Sequence, residues 1–209
     1  MKFEQMTELL KYAKTPEELD GEREEIAKWI PKVRIMFSFD QKNHAHQYDL
    51  WLHTLYVVAG LPRGLDDDML YLAALLHDIG KPASQIAGTK EGDTSMHYYG
   101  HPHKSLQIVR DEVLPELEQK GVCISGEDRE RLLYYVEHHD DPICVEEKNL
   151  YKMMKDVPMD WFKKLIQLEL SDGLAHIQIP VVAARVEKAK LLSGAEAERI
   201  YEEYNRGKH

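Results

Sequence analysis

Cysteine is almost missing from this 209-residue chain: Cys123 and Cys144 form no CxxC pair. That excludes a disulfide framework and a thiolate metal site, and a reducing cytoplasm is the expected home. Long apolar runs are missing too. None approaches the roughly 20 residues that a helix needs to span a bilayer, and Glu4 places an acid too early for a signal or transit peptide. Basic excess is the third absence. With 27 Lys and Arg against 37 Asp and Glu, the net charge is −10, which argues against a grip on nucleic-acid phosphates. A small phosphorylated substrate stays open, because bound cations can invert the field locally. There are no repeats and no low-complexity segments. A hydrophobic content of 43% and a charged content of 31% then describe a soluble globular domain with a real core, with or without an added terminal hairpin.

Apolar spacing predicts helices nearly throughout, so the fold class read here is all-α. Phe3, Met6, Leu9, Leu10 and Ala13 keep a helical rhythm. Thr15-Pro16-Glu17-Glu18 reads as a capping box opening a helix to about Trp29, which Pro31 ends. Val33 to Phe39 alternates weakly and fits either a strand or irregular backbone. The polar stretch Asn43 to Asp49 leads into a helix over 50–58, on which His53 shares a face with Leu50, Tyr56 and Val57. His44 and His46 read as loop residues, at most lining the mouth of a site. Asp66, Asp67 and Asp68 suit a helix start, and that helix runs to His77-Asp78. Residues 83–100, with Gly88, Gly92 and Gly100, form a loop or a short hairpin. It ends at His101, where Pro102 suits the first turn of the next helix. Ser125 caps a helix that ends in Glu137-His138-His139-Asp140-Asp141-Pro142. Further helices cover 143–156 and 160–176, another starts at Pro180, and Ser193-Gly194-Ala195-Glu196 caps the last.

The chemistry gathers at Leu75-Leu76-His77-Asp78-Ile79-Gly80-Lys81-Pro82. Here a helix stops, and its unwinding lets adjacent imidazole and carboxylate face one ion. Asp172 sits inside an apolar helix, where an acid needs a cation or several donors. His53, His77, Asp78, His101, His138, His139 and Asp172 each lie on a buried face or beside one. Imidazole and carboxylate without thiolate suit Mg, Mn, Fe, Co, Ni or Zn in an open, water-bearing site. The set is large enough for one or two divalent ions, with Asp78 placed to bridge them.

These residues carry a resemblance. Leu50-Trp51-Leu52-His53-Thr54-Leu55, Ala73 to Pro82, His97-Tyr98-Tyr99-Gly100-His101 and Glu169 to His176 are similar, in that order, to the HD superfamily of metal-dependent phosphohydrolases. They resemble most the HD domain appended to bacterial CCA-adding tRNA nucleotidyltransferases, although residues 1–40 hold no counterpart of that enzyme's polymerase head, so a free-standing hydrolase is expected. The resemblance implies one HD domain over 1–209, a helical bundle with an irregular His-bearing loop between central helices. Its core covers about 45–176, with helices in 1–40 and 180–206 as additions. It further implies His53, His77, Asp78 and Asp172 around one ion, with His101 and one or both of His138 and His139 at a second. The likeness to the CCA-type domain favours His139; a His-His-Glu pattern would use both.

The implied activity is hydrolysis of a phosphomonoester or phosphodiester of a nucleotide-like small molecule by metal-activated water. Lys81 is then expected to contact a phosphoryl oxygen, and His103 or Asp140 to assist at the substrate. A non-catalytic nucleotide-sensing module and a di-iron oxygenase are the rival expectations.

Overall fold

Local chemistry sets most helix starts. The computed structural model describes residues 1–89, 94–194 and 197–207. It opens with α1 (Phe3–Tyr12), α2 (Pro16–Gly21) and α3 (Arg23–Trp29). Thr15 caps α2, its hydroxyl accepting from the Glu18 amide at 3.4 Å, with Pro16 in the first turn. The helix expected to continue to Trp29 instead breaks at Glu22, next to Gly21; glycine is a weak helix former, costing about 1 kcal/mol against alanine. A 3-10 turn spans Pro31–Met36, so that stretch is not a strand.

Carboxylates cap the next two helices. Asp49 accepts from the Leu52 amide at 2.8 Å to start α4 (Leu50–Gly60), and Asp67 accepts from Met69 and Leu70 to start α5 (Asp68–Leu76). α5 stops at His77-Asp78, as expected. The chain turns through 77–80, and Pro82 falls in the first turn of a new short helix, α6 (Lys81–Ser84), where its missing N–H has no cost. The loop that follows contains an antiparallel hairpin, β1 (Ile86–Ala87) with β2 (Met96–His97), Ile86 opposite His97. Its tip, with Gly92, lies outside the described residues.

Gly100, left-handed at φ 70°, leads into α7 (His101–Ile108). A π-helical turn over Val109–Val113 joins α7 to α8 (Leu114–Gln119). Ser125 starts α9 (Gly126–His138). Then come α10 (Glu147–Met154), α11 (Met159–Ala175), α12 (Pro180–Ser193) and α13 (Ala197–Arg206). The cap expected at Ser193 to Glu196 falls partly on residues 195–196, outside the described residues. Among the described residues, no helix is long and apolar enough to cross a membrane.

Packing explains where the chemistry collects. Every residue of α5 from Met69 to Leu76 is buried, so this helix has no polar face and is enclosed by α1, α4, α9 and α11. Two apolar clusters share α11. Leu165 and Leu168 join the larger one, while Phe162 and Ile166 join a smaller one with Leu150, Met154, Ala189, Leu192 and Tyr201. Buried Asp67 ties three helices at the start of α5: it accepts from the Tyr135 hydroxyl of α9 at 2.9 Å and pairs with Lys164 of α11 at 3.2 Å. At the other end of α5, the chain emerges as His77-Asp78.

The turn after α5 packs directly on α7. A Cβ at Gly80 would lie 2.4 Å from the Ser105 nitrogen and 2.7 Å from the His101 carbonyl oxygen, both backbone atoms that cannot give way. Its φ of −82° is ordinary, so the need for glycine is spatial. Gly80→Ala is therefore expected to cost about 1–3 kcal/mol through overpacking, read as a lower midpoint in chemical denaturation. An unchanged midpoint would show that the two segments can separate freely.

Candidate metal centre

One local device recurs at three helix ends. The Nδ1–H of His77 donates to the Ala74 carbonyl at 2.8 Å, that of His139 to Val136 at 2.8 Å, and that of His101 to Tyr98 at 2.9 Å. In each case the acceptor is the carbonyl three residues back. For His77 and His139 it belongs to the last turn of α5 or α9, which leaves carbonyls without helical partners. The bond holds the proton on Nδ1 and turns the Nε2 lone pair inward, as in histidines that bind metals.

Those lone pairs converge. With Nδ1 as the donor, the neutral form of each ring presents Nε2 as an acceptor, and His101 Nε2 lies 3.2 Å from His139 Nε2. Two buried acceptors this close repel unless a cation lies between them or beside them. His77 Nε2 is buried without a hydrogen-bond partner, 3.2 Å from Asp78 Oδ2 and 3.7 Å from Asp172 Oδ1. His53, from the first turns of α4, brings Nε2 within 3.1 Å of Asp172 Oδ1 and 3.5 Å of Asp78 Oδ2.

Asp78 divides its two oxygens between neighbours. Oδ2 faces His53, His77 and Lys81, the last at 2.6 Å, while Oδ1 faces His101 at 3.1 Å and His139 at 3.6 Å. Two groups of candidate ligands follow: His53, His77, Asp78 and Asp172, and Asp78, His101 and His139, each with its donor atoms within 4.8 Å of one another. The donor set of imidazole nitrogen and carboxylate oxygen fits a divalent ion in both. A third group, His46, His53 and His176, shares His53 with the first and lies against Lys81, whose Nζ is 3.5 Å from His46 Nε2.

Electrostatics carry the same message. Asp78 and Asp172 are almost wholly buried, which disfavours their charge. Lys81 and His77 beside Asp78, and His176 and His53 beside Asp172, outweigh burial and hold both carboxyls well below the usual range. Burial also opposes a charge on His77, yet Asp78 and Asp172 overcome it and push its pKa up to about 10. A proton on His77 Nε2 thus stands in for a metal ion. His139 and His176 are pushed down by burial, as is His46.

The cluster forms the floor of a cleft of about 360 Å³, reached by Asp78, Lys81, His101, His139 and Asp172. Tyr98, Ile179, Val181 and Val182 wall it, with Arg185 at its edge. A larger cavity of about 650 Å³ lies among α1, α5 and α9, but it is lined by paired acids and bases and by no imidazole. The chemistry, not the volume, marks the site.

Not every expected residue arrives. His138 sits half exposed with Nδ1 2.7 Å from Asp141 Oδ2 and its ring against Tyr134, outside both ligand groups. Successive side chains at a helix end diverge by about 100°, so only His139 turns inward. His103 is exposed on α7, 3.1 Å from the Gln107 amide, and does not line the cleft. A substrate contact from His103 is therefore corrected: with His101 directed inward, His103 faces out. Lys81 does reach the centre, its Nζ also 3.1 Å from Gln41 Oε1. Asp140 lies at the cleft bound to Arg185.

Three cleft residues had no assigned role in the sequence: His46 beyond a place at the mouth, His176 and Arg185. The spacing of Asp172 and His176, one turn apart, is a usable signal for the second. Nothing local marks Arg185, because its reach depends on α12 folding back over α11.

The family model described as HD domain matches residues 44–158, more than half of the chain. Comparisons with curated proteins and with solved structures found no match.

The raised His77 pKa sets a pH dependence. In the metal-free protein the group contributes stability fully below its ordinary value of 6.5, and that contribution is lost as pH rises through about 10. Thermal unfolding of metal-stripped protein is expected to show a melting temperature falling across that interval, and His77→Gln to flatten the slope. A slope that His77→Gln leaves unaltered would assign the proton elsewhere.

Proposed function

This chain belongs to the HD-domain family, and from that premise we propose that it is a metal-dependent phosphohydrolase acting on a phosphomonoester or phosphodiester of a nucleotide-like small molecule. HD domains are typically metal-dependent phosphohydrolases, and the buried His and Asp groups can hold metal. The observation that carries the reading is the pair of inward-facing nitrogens, His101 Nε2 and His139 Nε2, set 3.2 Å apart beside a carboxylate that faces two ligand groups at once. His53, His77 and Asp172 with Asp78 Oδ2 would hold one divalent ion, and His101 and His139 with Asp78 Oδ1 a second. Such ions supply Lewis-acid charge and bring the pKa of water toward neutrality.

The protein's own groups do the rest. Lys81 is buried at the floor of the cleft, oriented by Asp78 and Gln41, and offers N–H donors to a phosphoryl oxygen. The cleft volume of about 360 Å³ is in the range of small-molecule sites. Ile179, Val181 and Val182 offer an apolar wall to a base or similar ring, and Val181 is 72% exposed, so that wall is open to a ligand. The chain's net charge of −10 fits a small phosphorylated substrate better than a nucleic acid. We read residues 1–209 as one HD domain with its terminal helices as additions.

A phosphoester panel assayed with Mn, Co and Ni tests this. Asp78→Ala is expected to abolish metal uptake and turnover together, since both ligand groups lose their shared member. His139→Ala is expected to lower turnover by more than the roughly 10–100-fold typical of outer-shell changes, whereas His138→Ala stays near the unmodified rate. Turnover that persists in Asp78→Ala without metal would sink the reading, and oxygen consumption with iron would replace it.

A further inference from the structure

α12 lies beyond the residues that the HD family model matches, yet its Arg185 meets the centre from the edge of the cleft. Nη2 donates to the backbone carbonyl of His139 at 2.5 Å, and Nη1 donates to Asp140 Oδ1 at 2.7 Å. Nη1 is also 3.7 Å from Asp172 Oδ2, and Nη2 is 3.5 Å from Glu169 Oε2. Asp172 is therefore two-faced: its Oδ1 looks inward at His53 and His77, and its Oδ2 looks outward at Arg185. His139 and Asp172 belong to different ligand groups, and those groups meet only at Asp78.

We infer that Arg185 is a positioning residue that fixes the spacing between the two halves of the metal centre. This rests on reading the two ligand groups as ion sites. A guanidinium is a planar fork with its donors at set angles, so it can hold the end of α9 by hydrogen bonds to His139 and Asp140 while its charge faces the Asp172 carboxylate at 3.7 Å. It does so without entering either ligand group. The alternative, an ordinary surface ion pair, fits poorly with its setting. The side chain is only 22% exposed, its Nε is buried without a partner, and three carboxylates from two elements surround it. Removing it takes the shared cation from Asp140, Glu169 and Asp172 and releases the carbonyl of His139, while His53 still holds Asp172 Oδ1. Lysine keeps the charge but offers a single point of attachment, so it cannot keep both contacts.

Arg185 hydrogen-bonds the His139 carbonyl but faces Asp172 only as an ion pair, so the ion held by His101, His139 and Asp78 should suffer more. Cobalt titration of the full chain after chelator treatment, followed by visible absorption and calorimetry, reads this directly. The unmodified protein is expected to take up two equivalents. In Arg185→Lys the first should bind as before and the second about 10–100-fold more weakly, with a changed visible band. Arg185→Ala should show the same pattern more strongly; if it fails to fold by circular dichroism, Arg185→Lys decides. Two unaltered affinities and an unaltered spectrum in Arg185→Lys would overturn the assignment alone. No cobalt uptake by the unmodified protein would overturn the metal reading and this assignment with it.

Discussion

Two buried carboxylates and four inward-facing imidazole nitrogens cannot share a dry space without added positive charge. Everything else about this protein's site follows from that constraint. Lys81 answers part of the demand at 2.6 Å from Asp78, while Arg185 is largely engaged by Asp140. The raised pKa of His77 meets part of it in the metal-free protein, and divalent ions would meet it more fully, because they would also answer the facing nitrogens of His101 and His139. Desolvation makes an unmet charge costly here, and it is also what makes a bound cation tight.

The fold meets this demand with helix ends. His77 and His139 each use a last-turn carbonyl of α5 or α9 to fix the ring, and His101 uses the Tyr98 carbonyl just before α7. Ligand orientation and helix termination are thus one arrangement. The fully apolar α5 presses these ends together from within, and Gly80 lets the turn that follows it approach α7 at backbone distance. The smaller apolar cluster around α11 to α13 brings α12, and with it Arg185, against the outer face of Asp172.

Much of this was legible in residue order. Helix starts at Thr15, Asp67 and Ser125 follow from capping chemistry that acts over three residues. The break at Gly21 and the restart at Pro82 were not legible. Both depend on which of two weak local preferences packing selects. His138 and His139 were indistinguishable as letters, and a rotation of one residue at the end of α9 separates them. His103 looked like a neighbour of the site because it neighbours His101, but a helix directs such close positions to different faces.

By itself, the sequence determined the all-helical class, the supply of imidazole and carboxylate without thiolate, and the placement of that chemistry at helix ends. These properties live in short spans, where propensity, capping and residue type act on immediate neighbours. Tertiary structure alone decided which side chains meet. His46 and His176 enter the cleft and Arg185 braces its edge, across separations of 46 residues for Arg185 and His139 and 119 for His53 and Asp172. Such meetings are set by how helices stack around α5 and α11, and no local spacing encodes the angle at which one helix crosses another.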